Sequence, residues 1–284
     1  MGRMDEGTVD VVLVGAGIVS ATLANLLAEL FPDLSIRAYE RLEGIAVESS
    51  RAMNNAGTGH AANCELNYTP RRSDGSVDTA KALRINEEFE VSLQFWAHLV
   101  ETGAIPEPKD FIHSLPHLSF VQGDDDVDFL RARHAALSAH PMFDSMEYTE
   151  DPARMAEWMP LVMEGRSPGA AMAATRVARG TDVDFGVLAQ RLFEGMSRHA
   201  DFALRLSHDV TGLRREREGG SWRLTVRDRV AGTTREVAAG FVFVGAGGGA
   251  LPLLQRAGLP EVRGYGGFPV SGQWLVCRNP DLIA

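Results

Sequence analysis

The stretch VDVVLVGAGIVSATLANLLAEL, residues 9–30, decides the fold. Residues 9–14 form a short run rich in β-branched side chains, as expected of a parallel strand buried on both faces. Gly15 and Gly17 follow at once. Beyond them Ile18, Ala21, Leu23, Ala24, Leu26, Leu27 and Leu30 supply an apolar helix that stops before Pro32. Residues 34–39 make a second strand that ends in Glu40. Strand, helix and strand in so short a span is a βαβ unit.

The glycines are two of the three in the dinucleotide fingerprint Gly-x-Gly-x-x-Gly, with Ser20 in the third place. Gly15 would make the tight turn out of the strand, and Gly17 would let bare backbone approach a pyrophosphate. The helix N-terminus adds free N–H groups and the positive end of its dipole. The third glycine serves only close packing of helix on strand, so a serine there is a small departure. Glu40 lies twenty residues beyond Ser20. A carboxylate there accepts hydrogen bonds from an adenosine ribose and repels a 2′-phosphate, which argues against NADP. The competing reading is a glycine turn that merely joins strand to helix. Strand, glycines, helix, strand and acid together favour a dinucleotide site.

Composition sets the bounds. A chain of 284 residues holds one large or two modest domains. With 45% hydrophobic and 23% charged residues it has the balance of a soluble globular protein. Its formal net charge of -10 argues against free nucleic acid as a partner. Cys64 and Cys277 are too few for a disulfide scaffold and fit a reducing compartment. No signal-type segment precedes the first strand, and no run reaches the ~18–20 apolar residues of a membrane span. No metal site is expected.

Residues 45–69 are a long polar loop of the kind that carries function. Residues 79–101 return to helical spacing, with Ile85, Phe89, Leu93, Trp96 and Val100 on one stripe that Gly103 and Pro106 end. HSLPHLSFV, 113–121, suggests a strand entered through Pro116. The acidic run Asp124, Asp125, Asp126 and Asp128 reads as a solvated loop. Asp151 before Pro152 starts a helix, and residues 183–199 form another. An antiparallel stretch follows, with strands at 203–207, 209–215, 221–230 and 234–237 and turns at EGG, 218–220, and AGTT, 231–234. The strand FVFV, 241–244, leads into GAGGG, 245–249, and a short helix. FPVSGQWLVC, 268–277, is strand-like again.

This order separates FAD from NAD. An NAD domain would continue with further βαβ units, whereas a flavoprotein interrupts its nucleotide domain with a substrate domain. The expected fold is α/β, a Rossmann-like FAD-binding domain with an interrupting, mainly β (α+β) substrate domain. Its first part covers 1–80, the substrate lobe 81–178, the second part with its β-meander 179–265, and the start of a return to the substrate domain 266–284. A second dinucleotide site for NAD(P)H at GAGGG is the weaker alternative, because no strand with a terminal acid follows about twenty residues on.

The loop ESSRAMNNAGTGHAANCELNYTP, 48–70, resembles the flavin-contacting segment of glycine-oxidase-type flavoproteins. Four blocks, NNAGTGHAANCELNYTP (54–70), RGTDVDFG (179–186), FVFVGAGGGALPLLQ (241–255) and GGFPVSGQWLVC (266–277), resemble the malate:quinone oxidoreductase family across nearly the whole chain. That family's chains are longer, so the resemblance implies C-terminal truncation. It also implies that Gly15, Ala16, Gly17, Ile18 and Val19 wrap the FAD pyrophosphate and that Glu40 takes the ribose. Ser49, Ser50, Asn54, Asn55, Gly57 and Thr58 would line the ribityl and ring, Val210 would meet adenine through its backbone, and Gly245, Ala246 and Gly247 would return near the pyrophosphate. The implied reaction moves a hydride from C2 of (S)-malate to FAD, giving oxaloacetate, and passes the electrons to a membrane quinone in the tricarboxylic acid cycle. Contact with the membrane would be peripheral, on the cytoplasmic face. His60 is the candidate base, while His98, His113, His117 and His134 read as structural. Arg51, Arg176 and Arg179 are the candidate cations for the substrate carboxylates. The alternatives are a related FAD-dependent 2-hydroxy-acid dehydrogenase or oxidase, such as one for 2-hydroxyglutarate, and a non-catalytic remnant.

Overall fold

The computed structural model describes residues 8–59, 61–166, 169–216, 220–270, 272–273 and 275–283. The nucleotide-type unit forms as its sequence requires: β1 (Val9–Val14), α1 (Ile18–Leu30) and β2 (Ile36–Tyr39). Next come α2 (Ala80–Glu101), β3 (Ile112–Ser114), β4 (His117–Gln122), α3 (Asp124–Leu137), β5 (Glu147–Thr149), α4 (Pro152–Trp158) and α5 (Pro160–Met163). The chain continues through β6 (Met172–Val177), β7 (Thr181–Val183), α6 (Phe185–Met196), β8 (Phe202–Arg205), β9 (His208–Arg215), β10 (Trp222–Asp228), β11 (Thr234–Val244), α7 (Ala250–Arg256) and α8 (Pro280–Ile283).

One six-stranded sheet, in the order β8-β2-β1-β11-β10-β9, carries the site. β8, β2, β1 and the C-terminal half of β11 run parallel, while β9, β10 and the N-terminal half of β11 form an antiparallel meander. Alternation along β1 explains its unbroken apolar run. Val11 and Leu13 face a cluster with Ala21 and Ala24 of α1, Trp96 and Leu99 of α2, and Leu188, Leu192 and Phe193 of α6. Val12 and Val14 face the opposite way, onto Tyr39, Val210, Leu213, Leu224, Val226 and Leu253. Both faces are covered, so every position of the strand after Asp10 is apolar.

Two smaller sheets lie outside this one, β3-β7 and β4-β6-β5. Helix α2 joins the two regions: Ala82, Leu83 and Ile85 pack with Leu137, Phe143 and Val177, while Phe89, Leu93, Trp96 and Leu99 pack beneath the large sheet. Asp151 caps α4 through the amide of Ala153 at 3.0 Å, and Asp184 caps α6 through the amide of Val187 at 2.9 Å.

The structure corrects several local expectations. Residues 202–205 do not join an antiparallel stretch; β8 pairs parallel with β2 at the sheet edge. The strands expected at 234–237 and 241–244 are one strand, β11, whose first half serves β10 and whose second half serves β1. HSLPHLSFV gives two strands, β3 and β4, because Pro116 separates them. The acidic run is the first turn of α3, where Asp124, Asp125 and Asp126 meet the positive end of the helix dipole. No strand forms among the described residues of 266–277; Phe268, Val270 and Leu275 are exposed and lie beside no partner strand. On α1, Leu26 and Leu30 are exposed, and the buried positions are Ser20, Ala21, Ala24 and Asn25. Asn25 belongs inside because its Nδ2 donates to Ala21 O at 2.9 Å and to Leu192 O at 3.1 Å, tying α1 to α6. The turn expected at 218–220 falls largely outside the described residues.

Candidate functional site

A cleft of about 1030 Å³ opens where β1, β2 and β11 end. Ligands bind at the carboxyl ends of parallel strands where the strand order reverses, and β1 is that point here: β2 follows on one side and β11 lies on the other. The volume stands at the top of the ~300–1,000 Å³ usual for small-molecule sites, which suits a ligand of dinucleotide size.

The floor is two glycine turns pressed together. Gly15 has φ +96°, and a Cβ on it would stand 2.5 Å from the carbonyl oxygen of Gly245. Gly17 caps α1 in extended backbone, and a Cβ there would stand 3.3 Å from Ser50 Oγ, inside the cleft wall. Ser50 Oγ accepts from the Ile18 amide at 3.1 Å. The amides of Gly17 and Val19 meet no acceptor among the described residues. They are the free N–H groups that an anion needs.

Ser20 is fully buried, and a Cβ on Gly245 would meet its Oγ at 2.3 Å. The close packing usually made by the third fingerprint glycine is made here from the other side. Serine occupies the helix position, and the glycine that accommodates it sits at the end of β11.

Glu40 is 9% exposed at the end of β2. Its Oε2 accepts from the Ala16 amide at 2.8 Å and its Oε1 from the Leu42 amide at 2.9 Å. Two backbone donors therefore aim the carboxylate into the cleft, and each oxygen keeps a lone pair for a further donor. The Glu40 carbonyl accepts from the His208 amide at 2.7 Å, which brings the start of β9 against the end of β2.

Of the cofactor residues expected from the sequence, Gly15, Gly17, Ile18, Val19, Glu40, Ser49, Ser50, Asn55, Val210, Gly245, Ala246 and Gly247 line this one cleft. Ala16 lies fully buried beneath it. Asn54, Gly57 and Thr58 do not line it. Asn54 Nδ2 donates to Glu48 O at 2.8 Å, Gly57 O accepts from the Val183 amide at 2.6 Å, and Thr58 bridges to Asp182. These three shape the loop; Asn55 does both, donating to Ser49 O at 3.0 Å and Arg51 O at 2.9 Å.

The three arginines are not brought together. Arg51 is exposed beside Ser50, and Arg179 is exposed in the turn between β6 and β7. Arg176 sits in β6 with Nη1 at 3.0 Å from Glu147 Oε1 and does not line the cleft. His60 lies outside the described residues. Among the described residues no group of three His, Cys, Asp or Glu is placed to hold a metal ion.

Sequence reasoning missed Tyr39, Arg41, Leu42, His208, Asp209, Phe243 and Arg256 in the lining. Arg41 pairs with Glu48 across the mouth. Arg41 and Leu42 follow Glu40 directly, and Asp209 precedes Val210, so proximity to a marked residue was their signal. Arg256 carried none, because only the fold carries α7 back to the cleft.

Solved structures similar in shape include a glycine oxidase and an L-proline dehydrogenase. Glycine oxidase from Geobacillus kaustophilus superposes with a TM-score of 0.62 at 18% identity, covering 89% of this chain and 59% of that one. L-proline dehydrogenase from P. horikoshii gives 0.58 at 16% identity, covering 89% and 56%. At such identities the likeness shows the fold alone, which is α/β. The probable malate:quinone oxidoreductase of Bradyrhizobium diazoefficiens is 57% identical over 96% of this chain and 53% of its own length. The corresponding protein of Geobacillus kaustophilus is 54% identical over 98% and 55%. The chain thus spans about half the length of the curated relatives it matches. The family model for malate:quinone oxidoreductase matches residues 7–284, and the chain belongs to that family.

Proposed function

We propose that the protein is an FAD-dependent malate:quinone oxidoreductase, oxidising (S)-malate to oxaloacetate and passing the electrons to a quinone. The observation that carries this is the single cleft in which the Gly15 and Gly245 turns, the free amides at the start of α1 and the aimed Glu40 carboxylate converge. They suit a pyrophosphate, a close backbone approach and an unphosphorylated ribose in turn. When bound, FAD would supply the hydride-accepting and electron-passing chemistry.

In this reading Gly17 and Val19 hold the pyrophosphate, Glu40 takes the ribose hydroxyls and the backbone of Val210 meets the adenine edge. Ser49, Ser50, Asn55 and Phe185 form the ring end, with Asn54, Gly57 and Thr58 behind them as loop supports. We assign the 2-hydroxyl proton to His60, because imidazole is the usual general base for such a proton. Arg51 is the arginine placed best for a substrate carboxylate, next to the cleft-lining Ser50; Arg176 already has a carboxylate partner. Residues 1–80 and 179–265 are read as the two parts of the cofactor domain. No helix among the described residues is long and apolar enough to cross a membrane. Access to quinone is assigned, in this reading, to peripheral contact on the cytoplasmic face.

The test is anaerobic titration of the purified chain with FAD and then with (S)-malate. Bound flavin bleached by (S)-malate and restored by a soluble quinone is the expected result. Bleaching by 2-hydroxyglutarate and not by malate would move the assignment to a different 2-hydroxy acid, and no flavin binding at all would remove it.

A further inference from the structure

Four consecutive carbonyls, from Ala61 to Cys64, are each taken by a side chain from elsewhere in the chain. Asn86 Nδ2 of α2 donates to Ala61 O at 2.8 Å. Arg133 Nη2 of α3 donates to Ala62 O at 3.0 Å and to Asn63 O at 3.2 Å. Ser119 Oγ of β4 donates to Cys64 O at 3.0 Å. Three separate elements thus fix one short piece of loop.

Arg133 is at the centre of this arrangement. It is fully exposed to no solvent, at 0% relative exposure, although it carries a guanidinium. Burying a charge is unfavourable unless hydrogen bonds offset it. Its Nε donates to Thr69 Oγ1 at 3.0 Å, so the fork reaches residues on both sides of the Cys64–Tyr68 stretch. Burial pushes its pKa down to about 10 from the usual 12.5, while Cys64 and Glu65 pull the other way. The group stays charged at neutral pH. The same burial pushes the Cys64 thiol up to about 11, which leaves it a protonated spectator there.

The backbone it holds is unusual. Ala62 has φ +57°, in the left-handed region that alanine rarely adopts. Such a conformation persists only where the surroundings over-determine it, and strained positions of this kind gather at functional sites. Each peptide here is trans, so every capped carbonyl sends the N–H of the next residue the opposite way. The amides of Ala62, Asn63 and Cys64 donate to no acceptor among the described residues. The clamp therefore commits the carbonyls.

This piece continues the loop that forms the ring end of the cleft. Ser49, Ser50 and Asn55 line the cleft, Gly57 and Gly59 are bonded to Val183 and Thr181 beside β7, and the clamped carbonyls follow. We propose that Arg133 is a positioning residue for the reaction: through the Ala62 and Asn63 carbonyls it holds the 61–64 piece, and with it the ring-end wall of the cofactor cleft, in one conformation. The proposal rests on the FAD reading for its consequence but not for the clamp itself.

Two measurements separate the clamp from its consequence. In the flavin-free chain, Arg133→Met should speed exchange of the hydrogen-bonded amides of Ala61, Tyr68 and Thr69 by at least ~10-fold, a local opening, with β1, β2 and β11 unchanged. Exchange that rises equally across the large sheet, or does not rise, would overturn the proposal. Where Arg133→Met does not fold, Asn86→Ala and Ser119→Ala carry the same arm, each loosening the segment around its own carbonyl. In the flavin-loaded chain, Arg133→Met should keep FAD affinity within ~3-fold, because the phosphate and ribose contacts are untouched, yet change the visible band shape of the bound flavin. Arg133→Lys should restore that shape only in part, since an ammonium lacks the planar fork. An unaltered spectrum in Arg133→Met would reduce the residue to a structural role and overturn the positioning claim. If the parent chain binds no FAD, the cofactor reading fails, and local against global exchange alone decides whether Arg133 holds the segment.

Discussion

Ser20 Oγ occupies space that a Cβ on Gly245 would need; the two would stand 2.3 Å apart. The first helix and the return strand β11 are therefore fitted to each other through one hydroxyl and one missing side chain. That hydroxyl is fully buried and finds no hydrogen-bond partner. Ser20→Ala should raise stability by up to ~1 kcal/mol, since it removes an unsatisfied group and improves helix propensity. Gly245→Ala should lower it by ~3 kcal/mol or more through overpacking. Adding Ser20→Gly to Gly245→Ala should recover part of that loss, because the two positions are coupled. Thermal melts of the four proteins check all three outcomes.

Gly15 and Gly17 should respond to alanine differently. At Gly15 the added Cβ meets backbone, the Gly245 carbonyl at 2.5 Å, and φ +96° is hostile to any side chain. Gly15→Ala should cost at least ~3 kcal/mol of stability and abolish FAD binding. At Gly17 the Cβ meets only Ser50 Oγ at 3.3 Å, in ordinary backbone. Gly17→Ala should fold within ~1 kcal/mol of the parent yet bind FAD at least ~10-fold more weakly, because its methyl stands where a phosphate must approach. Paired melting and flavin-fluorescence titrations distinguish the two.

Besides the ribose contact proposed for it, Glu40 serves the fold. Glu40→Ala strands the buried amide of Ala16 and the amide of Leu42, and should destabilise the flavin-free chain by ~1–3 kcal/mol. Glu40→Gln retains one acceptor oxygen and should lose less stability while still weakening FAD. A melt without added flavin isolates the first effect, and equal melting of both variants would refute the dual role.

Acid should weaken the protein through identifiable carboxylates. The Ser35 hydroxyl and amide, at 2.7 and 2.9 Å, hold the Asp10 carboxyl below its ordinary 3.8. The Tyr148 hydroxyl and Arg131 do the same for Glu150. Their folded-state values are lowered, so this stability is complete above the ordinary carboxylate range and disappears as pH falls through the folded values. Asp10→Asn should therefore melt lower than the parent at pH 7 and approach it as pH falls through the lowered folded value of Asp10. Melting temperature against pH for the pair is the measurement.

The nucleotide half was largely readable before folding because its signals are local. Gly15, Gly17, Ser20 and Glu40 lie within one βαβ unit, and each answers a requirement of its immediate backbone. The loop residues were legible as a block but not in their separate tasks. Asn55 faces the cleft, while Gly57 and Thr58, two and three residues on, pair with Asp182 and Val183 from more than a hundred residues away. Strand character at 266–277 was misread because an alternating apolar pattern becomes a strand only beside a partner, and none stands beside the described residues there. The acidic run was misread because the stripe Val127, Leu130, Leu137 that makes it a helix begins only after the charges.

Short-range chemistry thus settled the strand–glycine–helix turn and the acid at the end of the second strand, since these depend on side chains a few residues apart. Assembly settled the rest. The unusual serine in the opening stretch is accommodated by a glycine 225 positions later. The strand that brings Gly245 there is a single element shared by two sheet halves of opposite sense. The buried Arg133 that holds the loop comes from a helix whose sequence gave no hint of it. Packing at distances of 2–4 Å is specified by which elements meet, and that is fixed only when sheets and helices close over a common core.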